Sequence, residues 1–181
     1  MQLTGTTGTI ADVNDSKQLK TRAATVSAIH EASLNGQAFA WNAVSADVAA
    51  LATALAVRND SSTKYLVIDK LYVYSDVATA VDVHLVTATY TSAGTAVTGV
   101  CLNKAKTTVA SATAHANETG NTQGDIILTL HTPELTTSAE AVGYDFKGSV
   151  ILGQNQAIGV DLVADSAAFE CTIIGYYIDK E

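Results

Sequence analysis

The sequence predicts an all-β sandwich, on three observations. Short apolar runs recur about every ten residues between turn residues, with no sustained helical stripe. Alternation is clearest at Val81, Val83 and Leu85, which face one way while Asp82 and His84 face the other. A length of 181 residues holds one domain with a real core and is short for two.

The densest β-forming stretch is Lys64 to Thr87, two apolar runs separated by SDVATA. It reads as a hairpin whose first strand slips. Ile68 and Leu71 are three apart, and two polar residues, Asp69 and Lys70, stand where one would be expected. A β-bulge there lets Ile68, Leu71 and Val73 all face inward and turns Tyr72 and Tyr74 to the opposite face.

Before this stretch, Met1 to Asp15 is Thr, Gly and Asp with few large apolar groups and reads as an arm. Ser16 to Leu34 supports two readings. Leu19, Ala23, Val26 and Ile29 fit a helical stripe, while the β-branched Thr21, Thr25, Val26 and Ile29 favour extended structure, the reading adopted. Asn35-Gly36 is a strong turn signal, and Phe39 and Trp41 beyond it share a face. Ala46 to Ala56 has helical propensity, but its end alternates into Arg58, so Thr53 to Arg58 is read as a strand.

After the central stretch, Val97 and Cys101 share one side of a run, and Thr107 to Asn117 is small and β-prone. Asn117 to Asp125 reads as a loop, Ile126 to His131 as a buried strand closed by Pro133, and Thr136 to Val142 as another loop. Ile158, Val160 and Leu162 alternate, as do Phe169, Cys171 and Ile173, predicting two antiparallel strands joined by a short turn at Asp165 to Ala168.

Composition narrows the function. Charged residues are 15% of the chain, against about 25% in soluble domains. Such a weakly charged, Thr-rich surface suits packing against other proteins, and equally an ordinary β-domain. The net charge of −8 and scattered basic residues argue against nucleic acid, because phosphate binding needs clustered Lys and Arg. The one small basic concentration is Lys17, Lys20 and Arg22. No apolar run approaches the ~20 residues of a membrane span, so no membrane partner is expected. The opening lacks a signal-peptide pattern, so synthesis in the cytoplasm is expected, and Cys101 and Cys171 read as free buried thiols.

No catalytic constellation emerges. His30, His84, His115 and His131 lack partners at metal-ligand spacing, and His84, beside Asp82 on the polar face, reads as exposed or at an interface. Asp12 to Asp15 opens like a calcium loop but lacks its later Gly and Glu. Phosphate loops and nucleophile elbows are absent from the sequence, so no enzyme, cofactor or metal is expected.

The order of signals carries a resemblance. A Thr/Gly-rich arm precedes Asn35-Gly36 and Phe39; then come LAVRNDSSTKYLVIDKLYVYS, GSVILGQNQAIGVDLVAD and CTIIGYYID. Over roughly Gln37 to Asp179 this resembles small virion proteins of tailed bacteriophages, especially head decoration (cement) proteins built on jelly-roll domains. The resemblance lies in pattern rather than in a diagnostic motif. It implies a jelly-roll-like domain over 36–181 behind an extended arm over 1–35. It also implies a homotrimer on the outer capsid surface that stabilises the shell, with the arm touching the major capsid protein or a neighbour. Candidate interface residues are Trp41, Tyr72, Tyr74, Lys17, Lys20 and Arg22. The rival expectation is a carbohydrate- or receptor-binding module of a head or tail fibre, which would need exposed aromatics.

Overall fold

The computed structural model describes residues 27–45, 53–86, 94–118, 121–133, 141–166 and 168–180. Lys17, Lys20, Arg22 and the arm as far as residue 26 lie outside these, as do 46–52, 87–93 and 134–140.

The first element among the described residues is a helix, α1 (Ala28–Leu34), where the sequence favoured extended chain. The β-branched residues behind that reading, Thr21, Thr25 and Val26, precede it, and only Ile29 falls within a run of good helix formers. The Asn35-Gly36 signal marks the helix end. Gly36 takes φ 71°, its N–H donates to the Ser33 carbonyl (2.9 Å), and Gln37 N–H donates to that of Ala32 (2.7 Å). This pair of bonds satisfies carbonyls the helix leaves open, and the left-handed turn favours a residue without Cβ.

Eleven strands follow among the described residues. They are β1 (Ala38–Ser45), β2 (Thr53–Asn59), β3 (Lys64–Ser75), β4 (Thr79–Val86), β5 (Thr95–Ala96) and β6 (Val100–Cys101). The rest are β7 (Ala112–Glu118), β8 (Gln123–Thr132), β9 (Val142–Leu152), β10 (Ala157–Leu162) and β11 (Phe169–Asp179). They form two sheets, ordered β6-β1-β11-β3-β9 and β5-β7-β2-β10-β4-β8. Every neighbouring pair is antiparallel.

The protein is thus an all-β antiparallel sandwich. Strands β1 to β4 alternate between the sheets, and so do β8 to β11. The resulting quartets, β1-β11-β3-β9 and β2-β10-β4-β8, have the two-sheet order of a jelly roll, with β5, β6 and β7 added at one side.

This order corrects two expectations. Strand β3 does not pair with β4: β3 lies between β11 and β9, and β4 between β10 and β8. Likewise β10 and β11 belong to different sheets. Both linkers carry the chain across the sandwich, and the crossings brace one another. Ser75 Oγ lies 3.1 Å from Ser166 Oγ, which lies 2.7 Å from Asp76 Oδ1, and Asp76 N–H donates to the Ala168 carbonyl.

The bulge in β3 stands where the sequence places it. Ile68 pairs with Gly175 and Lys70 with Ile174, leaving Asp69 as the extra residue. Leu71 and Val73 are buried, Tyr72 is exposed and Tyr74 half-buried on the other face. Opposite the bulge, β9 carries its own irregularity between Asp145 and Val150, with Lys147 and Gly148 both at positive φ.

The main core lies between the sheets, around Trp41, Phe39, Phe169, Leu55, Ile68 and Leu71. A smaller cluster on the outer face of the five-stranded sheet holds α1 down, with Ala32 and Ile29 against Ala38, Val67 and Tyr176. Strand β8 is not the buried strand expected: it is an edge strand, and Ile126 and Ile127 are exposed.

Candidate functional site

The expected interface residues separate. Trp41 is 0% exposed, its ring 6.1 Å from that of Phe39, and Phe39 meets Tyr177 edge-on. A Cβ on Gly99 would come within 2.7 Å of the Trp41 indole nitrogen, so the ring is sealed from that side as well. Trp41 is therefore a core residue and presents nothing to a partner, because the inward face of β1 takes it. Tyr72 is exposed but lies over Gly143 of β9, its cross-strand partner, where its ring covers the missing side chain.

The titratable groups gather on the outer face of the six-stranded sheet. His84 Nε2 touches Asp161 Oδ1, and both side chains are only 2% exposed. Alternation makes that face the polar one, but at His84 and Asp161 burial makes it dry, so the expectation of an exposed His84 is overturned, while Asp82 beside them stays half-buried. On the same face, His115 Nδ1 lies 3.1 Å from Glu118 Oε2, which also accepts from Gly94 N–H at 3.2 Å. Strand pairing sets His115, Ala56, Gly159 and His84 side by side across four strands. Space there is tight: a Cβ on Gly159 would lie 3.2 Å from the His84 ring and 3.3 Å from Thr53. A His–carboxylate pair could orient a base, but a substrate cannot reach a pair this enclosed.

Elsewhere burial governs the ionisable groups. It pushes the Cys171 thiol upward, making it inert. Burial, then the Asp60 carboxylate, raises the Tyr177 phenol. Asp69 at the bulge is raised by burial and next by Asp145, against the lowering pull of Lys70. Both cysteines are free; Cys171 is buried and Cys101 half-buried. No group of three or more His, Cys, Asp or Glu among the described residues could hold a metal ion. No helix among them is long and apolar enough to cross a membrane.

The feature that stands out is a difference between the two sides of the sandwich. On one side the edge strands are two-residue β5 and β6, and Val97 to Gly99 passes between them from one sheet to the other. The Val97 N–H donates to the Ala114 carbonyl, and Gly99 packs on Trp41, so this crossing covers the core there, beside a hollow of about 330 Å³ lined by residues such as Val44, Thr95 and Val97. On the other side the edges are β8 and β9, long strands with nothing beyond them among the described residues. Between them opens a groove of about 370 Å³ lined by Leu85, Ile127, Leu128, Tyr144, Phe146, Ser149, Val150 and Ile151. Its residues include core groups seen through the gap, such as Phe146, packed edge-on against Tyr144 at 5.0 Å.

Sequence reading missed this side. The signal was the adjacent pair Ile126-Ile127. Neighbouring apolar residues on a strand point to opposite faces, so on an edge strand one of them projects away from its own core.

The chain matches no protein-family model, no curated protein and no solved structure.

Proposed function

We propose that the chain is a non-enzymatic structural protein of a tailed-bacteriophage virion. It decorates and stabilises the outer surface of the capsid as an oligomer, with the trimer as the working stoichiometry. Its partners are further copies of itself and the major capsid protein, and its place is the capsid surface. The observation that carries the reading is the long apolar side between β8 and β9, a surface suited to protein partners, while the buried His84–Asp161 pair is closed to substrate. The jelly-roll strand order and the weakly charged composition are compatible with it, although the fold alone hosts many functions.

The test is co-sedimentation of purified protein with capsids built from the major capsid protein of the same genome. Full-length protein is expected to pellet with capsids and a chain lacking residues 1–15 to remain in the supernatant with its fold intact. Undiminished binding without the arm removes the arm from the proposal, and no binding by the full-length protein removes the capsid.

A further inference from the structure

The open side of the sandwich has a more specific use than general stickiness. Strands β8 and β9 are the outer edges of different sheets, yet both border the same groove. An edge strand exposes backbone N–H and C=O groups that template pairing, and natural proteins shorten, charge or cover such edges. This chain does so at β5 and β6 and leaves β8 and β9 long.

We propose that this side is the contact through which copies of the chain join one another. The inference deepens the oligomer part of the reading above and is independent of its capsid part. Three features favour a second copy as the occupant. A single added peptide strand extends one sheet only, whereas another sandwich presents two edges and can satisfy β8 and β9 together. The groove lining contains no charged residue, so two chains of net charge −8 can approach there with the least repulsion.

The third feature is area. Leu85, Ile127, Tyr144 and Ile151, which line the groove, are 40%, 40%, 41% and 52% exposed. Together they present on the order of 300 Å² of largely apolar surface, within the range of the largest patches on monomers. A pair of copies would then bury about 600 Å² from these side chains, and pairing along the two edges would supply the rest of the roughly 1,000 Å² that a specific interface needs.

Sedimentation of the full chain across a wide concentration range tests the proposal without any capsid present. Wild type is expected to show twice the 18.7 kDa protomer mass or a higher multiple. The variant Ile127→Lys/Ile151→Lys, changed only at exposed groove positions, is expected to weaken association by roughly a hundredfold or more while keeping its β-sheet circular dichroism. If that variant fails to fold, Ser149→Arg, which replaces an exposed polar residue in the groove, takes its place. Val109→Lys, at an 81% exposed position that does not line the groove, is expected to associate like wild type. A wild type that stays monomeric overturns the proposal, as does an oligomer that survives the groove variants or is lost equally in Val109→Lys. Capsid co-sedimentation is scored separately, so either reading can fail without the other.

Discussion

Removing one member of the His84–Asp161 pair is the sharpest test of the architecture. Both side chains are 2% exposed, so neither can recover its lost partner from bulk water. Replacing His84 by Leu strands a carboxylate on a dry sheet face, and replacing Asp161 by Ala strands an imidazole. Breaking a buried pair in this way costs about 3–5 kcal/mol, a large share of the roughly 5–15 kcal/mol that holds a domain together. At about 2–4 °C per kcal/mol for a chain of this size, each single variant should melt roughly 6–20 °C below wild type.

The double variant His84→Leu/Asp161→Ala leaves no polar group stranded, so its loss should fall short of the sum by about 0.5–3 kcal/mol. The remaining loss comes from the cavity, because Gly159 and Thr53 already pack closely around the His84 ring and cannot readily close over a gap. Guanidinium unfolding of the four proteins measures the cycle, provided the slopes agree. Single losses under about 1 kcal/mol that simply add would show that the pair is hydrated, and the reading of this face as dry would be wrong.

Three further outcomes follow from the same geometry. Asp69 has a raised folded pKa, so the native state holds the extra proton and wild-type stability falls as pH rises from the ordinary 3.8 to the raised value; Asp69→Asn should therefore melt above wild type at pH 7, with the two proteins converging below pH 3.8 in thermal melts. Cys171 should resist a thiol reagent until the protein unfolds while Cys101 reacts in the native state, and equal labelling of both would contradict the burial of β11. Trp41 should emit as a buried indole, ignore soluble quenchers and stay unchanged on adding glycans, and Trp41→Ala should cost about 3–5 kcal/mol; a glycan-dependent emission shift would reopen the carbohydrate-binding reading.

The sequence carried the period of the strands well and their neighbours poorly. The Asp69 bulge was legible because an extra polar residue breaks a period of two, and it stands in β3 as expected, with Tyr72 and Tyr74 opposite Leu71 and Val73. Thr53 to Arg58 was legible as a strand against its helical propensity for the same reason. Partnership was not legible. A short polar linker looks the same whether it turns a hairpin or carries the chain to the facing sheet, so β3 with β4 and β10 with β11 were misread. The candidate surface stayed hidden for a related reason: a strand's sequence does not say that it lies at an edge.

The same gap explains the histidine. Asp82 and His84 read as a wet face because polar residues alternate with apolar ones, and Gly159 and Asp161 read likewise on another strand. Only the pairing of β4 with β10 sets these two faces together, and there the imidazole and the carboxylate touch each other away from water. Alternation thus reports that two faces differ, while topology decides which is wet. The rule also runs the other way. Leu85 follows His84 and takes the apolar phase of the alternation, yet it is 40% exposed because the sandwich is open beside it. A buried His84 next to an exposed Leu85 inverts the usual pattern: His84 is buried against Asp161 of β10, and Leu85 is exposed because β4 is one strand away from an edge with nothing beyond it among the described residues. A partner seated on that edge would restore the normal pattern at Leu85 and leave His84 as it is, and because β4 is already paired on both sides, self-association should protect the outward-facing amides of β8 from hydrogen exchange more than the amides of β4.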